Sequence, residues 1–261
     1  MKTLFIALAA SLFAITSSAQ NINKPTVVLV HGAWSDVSAW NAVIPLIKAK
    51  GIKVMAVNLP GHGNDSTPFT SITLQSYIDA VKNQIGDTKN VILVGHSMAG
   101  IVISQVAEEM PSSIHKLVYL AAYLPANGQS LLDIAKTDAT SHVGQFLEID
   151  QSAASAGIGK EGAVDIFVAD APKLIQDRFA RGVQPDPLVP FASPVTLSEK
   201  NFGSIKKVYI HTLNDHAIGY ATQQAMVKNT NVESVHTLKS SHSPFITIPD
   251  QLAAILISEV H

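Results

Sequence analysis

Six short apolar runs punctuate this chain, at residues 26–30, 53–57, 91–94, 116–121, 207–211 and 233–238. Most are rich in Val, Ile and Leu and lack strict apolar–polar alternation, the pattern of strands covered on both faces. Between them lie stretches of helical periodicity, at 40–50, 74–85, 97–110, 223–228 and 249–260. Thr73 offers an N-terminal cap to the second of these, Pro111 stops the third, and Pro45 interrupts the first. Strands that alternate with helices predict a doubly wound, mostly parallel sheet of about six strands.

One segment breaks the rhythm. For some eighty residues between Ala121 and Lys207 there is no clear sheet strand, too long a span for a plain loop in a compact domain. It carries helical patches at 131–135, 163–168 and 174–181. A proline-rich exit follows, Gln184-Pro185-Asp186-Pro187-Leu188-Val189-Pro190. Residues 124–202 are therefore expected to form a helical cap inserted over the strand ends, leaving 20–123 and 203–261 as the core. Ligands bind at the carboxyl ends of the strands in such sheets, so a cap there would enclose an apolar pocket.

The first 19 residues are expected to be a signal peptide. Lys2 precedes an apolar core at 4–15, and Ser17 and Ala19 stand where a signal peptidase reads small side chains. Cleavage after Ala19 would leave Gln20 first. The apolar run is short of the roughly 20 residues that span a bilayer, and there is no cysteine to carry a lipid or a disulfide. An exported protein, periplasmic or secreted and without a membrane anchor after cleavage, is the expectation. A formal net charge of -2 with no long charge run argues against nucleic acid or an anionic membrane as partner.

The candidate chemistry begins at Gly95-His96-Ser97-Met98-Ala99-Gly100, directly after the third apolar run. Strand, tight turn with an apical serine, then helix is the geometry of a nucleophile elbow. Small residues are needed two positions to either side of the serine, and Gly95 and Ala99 supply them. A serine hydroxyl needs a base, and the base needs an acid to orient it. Asp215 and His242 each follow an apolar run by four residues, which places both where loops gather above a sheet. Asp133 is the next acid to consider. The backbone N–H groups of Ala33, in His31-Gly32-Ala33-Trp34, and of Met98 are the expected oxyanion donors. His31 is expected to be structural, and His62 and Ser66 to support the elbow. His211 and His216 flank Asp215, but no HExxH or similar local pair appears among the ten histidines. No metal and no cofactor are therefore expected.

These motifs, with Trp40, Pro60-Gly61-His62-Gly63, Leu188-Val189-Pro190-Phe191 and Pro194-Val195-Thr196-Leu197, give a chain that resembles the α/β-hydrolase superfamily. More closely it is similar to the branch of plant methylesterases, hydroxynitrile lyases and related bacterial, pyrethroid-hydrolase-like esterases. The resemblance spans residues 25 to 260. It implies a triad at Ser97, Asp215 and His242. It also implies a choice of chemistry: the lyases carry threonine where this chain has Gly32 and lysine where it has Ser243, which favours ester hydrolysis here. The expectation is a serine carboxylesterase acting on small to medium esters. A hydroxynitrile lyase on the same scaffold, or a non-catalytic ligand-binding protein of this fold, are the alternatives. Gly32, Trp34, Leu124, Leu131, Phe146, Phe167, Phe179 and Ser243 are the candidate pocket residues. Whether the protein is a monomer or homodimer is left open.

Overall fold

A computed structural model describes residues 24–260; the proposed signal peptide lies outside them. The strands are β1 Thr26–Val30, β2 Val54–Val57, β3 Val91–His96, β4 Ile114–Leu120, β5 Leu147–Asp150, β6 Ser155–Ile158, β7 Asp186–Pro187, β8 Lys206–Thr212 and β9 Ser234–Leu238. The α-helices are α1 Ile44–Lys48, α2 Leu74–Ile85, α3 Ala99–Glu109, α4 Leu131–Ala135, α5 Val143–Phe146, α6 Lys160–Phe167, α7 Lys173–Gly182, α8 Val189–Ala192, α9 Tyr220–Lys228, α10 Pro244–Thr247 and α11 Pro249–Ser258.

Six strands form one sheet in the order β2-β1-β3-β4-β8-β9, and every pairing in it is parallel. The two sides of each central strand feed different cores. Val28 and Val30 join the side packed by α2 and α3, whereas Val27 and Leu29 join the side packed by Trp40, α1 and α11. This double burial explains why the strands lack alternation. The strand order reverses between β1 and β3, the switch point at which an open sheet of this kind leaves a crevice. Their register aligns Val30 with Gly95, so the chain two residues further on brings Gly32 against Ser97.

All six expected strands and the expected sheet are present. α2 starts as expected, with Thr73 and Ser76 exchanging hydrogen bonds in a capping box. The expected helix at 40–50 is instead a 3₁₀ turn, Val37–Trp40, followed by the short α1. Pro45 lies in the first turn of α1, where its missing N–H costs nothing, and could not lie deeper.

Between β4 and β8 the chain is more mixed than the helical cap expected. α4 to α8 are joined by a small sheet, β5-β6-β7, with antiparallel pairings. Leu147-Glu148-Ile149-Asp150 does alternate apolar with polar, but over one short strand whose partner contains Gly157, so the pattern is weak. Beneath the elbow, α3 is pressed against the chain that leaves β4. A Cβ added to Gly100 would lie 2.1 Å from the Tyr123 carbonyl oxygen, whereas one on Gly144 in α5 would meet nothing within 4 Å. Gly100→Ala is expected to lower unfolding stability by about 2 kcal/mol or more through overpacking. Gly144→Ala should be neutral or slightly stabilising, because helix propensity favours alanine. Urea denaturation of both variants checks the contrast.

Candidate active site

Ser97 sits between β3 and α3 with φ of 54°, a left-handed conformation that non-glycine residues rarely adopt and that stores strain. Its amide donates to the Leu120 carbonyl of β4 at 3.2 Å, and its carbonyl accepts from Gly100 and Tyr123 at 3.0 and 3.1 Å. These bonds hold the strained turn. The close approach expected of an elbow is present: a Cβ on Gly95 would lie 2.9 Å from the Ala99 carbonyl oxygen.

The first loop packs on the same turn. A Cβ on Gly32 would lie 2.8 Å from both the Ser97 Cβ and His96 Nδ1, so only glycine fits without displacement. Neither the Ala33 nor the Met98 amide has an acceptor among the described residues, although both residues are buried. Buried amides of this kind are rare unless something accepts from them.

Asp215 and His242 come together because pairing continues past the strand ends. The Leu213 amide donates to the Leu238 carbonyl and the Asn214 amide to the Ser240 carbonyl, each at 3.0 Å. His242 Nδ1 then lies 2.8 Å from Asp215 Oδ2, with both side chains fully buried. The carboxylate is saturated with donors: Thr212 Oγ1 at 2.6 Å and Gln223 Nε2 at 3.1 Å on Oδ2, and the Ala217 and Ile218 amides at 2.8 and 2.9 Å on Oδ1. With Nδ1–H committed to the carboxylate, His242 keeps Nε2 as its lone-pair face, and that buried atom has no partner. The next imidazole, His96, donates from Nε2 to the His242 carbonyl at 3.0 Å. Burial and the neighbouring His242 ring hold the His96 pKa well below the usual imidazole range, so His96 stays neutral.

The model of the Alpha/beta hydrolase family matches residues 27–255. The chain belongs to this family. Among curated proteins it is 32% identical over 247 residues to "Putative methylesterase 13, chloroplastic" of Arabidopsis thaliana, covering 88% of this chain but 55% of that protein. The chain thus spans little more than half the length of that relative. It is 28% identical to a pyrethroid hydrolase of Sphingobium wenxiniae, over 87% of this chain and 84% of the other. It is likewise 28% identical to salicylic acid-binding protein 2 of Nicotiana tabacum, over 90% and 96%. Among solved structures, a pyrethroid hydrolase from Sphingobium faniae superposes with a TM-score of 0.80 at 25% identity, covering 90% of this chain and 97% of that one. An extracellular α/β-hydrolase from a Paenibacillus species gives 0.79 at 25%, covering 90% and 98%.

In this chain the segment between β4 and β8 grips the loops above the sheet through carboxylates. Asp186, fully buried on β7, accepts from the Trp34 amide at 2.6 Å and from Tyr77 Oη at 3.4 Å, and its Oδ2 lies 2.9 Å from His62 Nε2. Asp170, just after α6, accepts from the Ser241 amide at 2.9 Å and from the Ser241 hydroxyl. Asp138 accepts from the Gly219 amide at 2.7 Å. One carboxylate therefore holds each of three loops: that of Ala33, that of His242 and that of Asp215. None of the three was expected from sequence. The visible signal for Asp186 was an acid set between two prolines in an apolar stretch.

The candidate pocket residues divide. Trp34, Phe167, Phe179 and Phe191 form a chain of ring contacts 5.6–5.8 Å apart, and Phe167 also stands 5.8 Å from the His242 ring. Trp34 and Phe179, with Ile175, Val183 and Phe245, line a cavity of about 400 Å³. Leu124 lines a separate cleft with Met226, Leu131 is buried in the core, and Phe146 packs on Gly162 of α6. Ser243 caps α10, its carbonyl accepting from the Ile246 amide at 2.9 Å. Asp133 is engaged with Ser130 in the capping box of α4. Ser66 is exposed and takes no part at the elbow, because the turn it closes faces solvent.

The supporting histidines differ in charge. Leu59 donates its amide to His31 Nε2 at 3.1 Å, which leaves Nδ1–H for the Gly32 carbonyl at 2.9 Å. Burial, aided by His62, pushes the His31 pKa down to about 4. His62 faces acceptors on both nitrogens, the Pro60 carbonyl at 3.0 Å and Asp186. Burial alone would lower its pKa, but the Asp186 charge and hydrogen bonds raise it. A raised histidine pKa contributes stability that is fully present below about pH 6.5 and is lost as pH rises through the folded value. The stability difference between wild type and His62→Gln should therefore be largest at pH 5–6 and shrink toward pH 9. His31 works in the opposite sense, its contribution lost as pH falls from about 6.5 toward 4. Urea unfolding across this range measures both; a His62→Gln effect that grew with pH would contradict the pairing with Asp186.

Proposed function

We propose that this hydrolase is a serine carboxylesterase that cleaves small to medium carboxylic esters through an acyl-enzyme. The observation that carries the reading is the buried His242, tied at Nδ1 to Asp215 and bare at Nε2, in the same loop cluster as the strained Ser97 turn. The names of the relatives, methylesterases and a pyrethroid hydrolase among them, support the same class.

In this reading Ser97 Oγ attacks the ester carbonyl carbon while His242 Nε2 takes the hydroxyl proton. Asp215 fixes the tautomer that leaves Nε2 unprotonated and stabilises the imidazolium that forms. The amides of Ala33 and Met98, which lack acceptors among the described residues, donate to the tetrahedral oxyanion. His242 then returns the proton to the departing alcohol. Water, activated in turn by His242, releases the acid and regenerates Ser97. Phe167, beside His242, and the Trp34 and Phe179 rings in contact with it, which line the cavity, provide an apolar surface for the acyl or alcohol part. The Gly32 contact weighs against the lyase alternative, since a side chain there would collide with Ser97 and His96.

Ser97→Ala should lower kcat toward p-nitrophenyl esters by on the order of 10⁶ without loss of fold. Asp215→Asn should lower it by about 10⁴ while leaving the serine in place. Turnover of an acyl-length series by wild type and both variants checks this; cyanide release from mandelonitrile in place of ester turnover would reverse it. Export belongs to the same proposal. N-terminal sequencing of the protein recovered from periplasm or medium should begin at Gln20.

A further inference from the structure

Three side chains unused by the ester chemistry meet at the rim of the Asp215 loop. His142 precedes α5, Asp165 lies in α6, and His216 follows Asp215 directly. His142 Nδ1 is 2.6 Å from Asp165 Oδ2, and His216 Nδ1 is 3.1 Å from Asp165 Oδ1. The three donor atoms all lie within 4.8 Å of one another, and the two imidazole rings are 4.3 Å apart. We propose that His142, Asp165 and His216 form a binding site for one divalent transition-metal ion, Zn²⁺ in particular, that straps α6 and the turn before α5 to the Asp215 loop.

Donor chemistry selects the ion. Two imidazole nitrogens and one carboxylate suit Zn²⁺ and its neighbours in the first transition series, whereas Ca²⁺ and Mg²⁺ require oxygen ligands. Three protein ligands leave the fourth position to water. The site is also pre-assembled. The His142 amide donates to the His216 carbonyl at 2.8 Å, and Ser141 Oγ donates to the Ala217 carbonyl at 2.8 Å. Both histidine backbones are thus fixed to each other before any ion arrives, which lowers the ordering cost of binding. Each ligand side chain is about one-third exposed, so an ion can enter from solvent. Zn–N and Zn–O bonds of about 2.1 Å set at a tetrahedral angle place ligand atoms about 3.4 Å apart. The two nitrogen–oxygen contacts, made to different carboxylate oxygens, open by less than about 1 Å, and the donor atoms, now within 4.8 Å of one another, close by at most about 1.4 Å; both are side-chain adjustments. Each ring binds as its neutral Nε2–H form, and a proton held on Nδ1 passes to Nε2 or to water.

Sequence spacing could not reveal this site, because 23 and 51 residues separate its members. The inference is independent of the esterase reading. Its test uses the full protein after EDTA treatment and dialysis. Titration with ZnCl₂ by calorimetry should show one ion per chain. At about 100 Kd of free Zn²⁺, Tm should rise by about 5–10 °C. CoCl₂ should give the visible d–d bands of a low-coordinate site. His142→Ala and Asp165→Asn should each weaken binding at least about 10-fold and remove the Tm shift, while the metal-free ester rate and circular dichroism of His142→Ala match wild type. His216→Ala should behave alike; if it fails to fold because of its neighbour Asp215, His142→Ala and Asp165→Asn decide the matter. No saturation by millimolar Zn²⁺, or one-to-one binding that survives both of these substitutions, would overturn the proposal.

Discussion

A buried carboxylate must find donors, and Asp186 finds them on three different elements. Trp34 contributes its backbone amide, His62 its ring and Tyr77 its hydroxyl. Leaving such a group without partners costs several kcal/mol, so β7 has one acceptable seat over the sheet. That seat also determines the first loop. The Trp34 amide can reach Asp186 only if the preceding peptides run across the elbow, which is why Gly32 touches Ser97 and why Trp34 tolerates φ of 54°. Tyr77 feels the same environment, its hydroxyl pKa pushed up by burial and by the Asp186 charge.

A second buried network governs the other half of the site. Gln223, fully buried on α9, accepts from the Thr212 amide and donates to Asp215 Oδ2 and the Ile218 carbonyl. It thus welds the end of β8 to the carboxylate and the carboxylate to the start of α9. Every lone pair of Asp215 is occupied by the protein, so its orientation toward His242 is set before any ligand enters. Such preorganisation is what an electrostatic site requires, because donors that need not move cost nothing at the moment of reaction. Asp170, gripping Ser241, completes the arrangement from the opposite loop.

The sheet was legible because its central strands are covered on both faces and so appear as largely apolar runs; β1 and α2 carry their expected bounds. The placement of Ser97, Asp215 and His242 just past strand ends was legible for a related reason, since a polar residue there has few places to be. The residues that hold the surrounding loops were not. Asp186 and His62 lie 124 residues apart, and nothing periodic in either neighbourhood marks them as a pair. The same holds for Gln223, which reads as an ordinary polar helix residue until its burial is known. The small sheet β5-β6-β7 escaped because its strands are two to four residues long and contain glycine and proline, both poor strand formers. Ser66 misled through its position after a glycine-rich turn, where exposure and support of a site look alike in sequence.

The sheet order has a consequence for how the molecule comes into being. Ser97 follows the central strand β3, whereas Asp215 follows β8 and His242 follows the neighbouring edge strand β9. Parallel pairings close long loops and are acquired slowly. The β8-α9-β9 unit alone brings Asp215 and His242 together, but the Ser97 turn joins them only when β3 and β4 complete the sheet beside that unit. A partly folded chain would therefore carry the sharp serine turn apart from the Asp215–His242 pair. Only closure of the whole sheet brings the serine turn and the buried histidine–aspartate pair into one loop cluster.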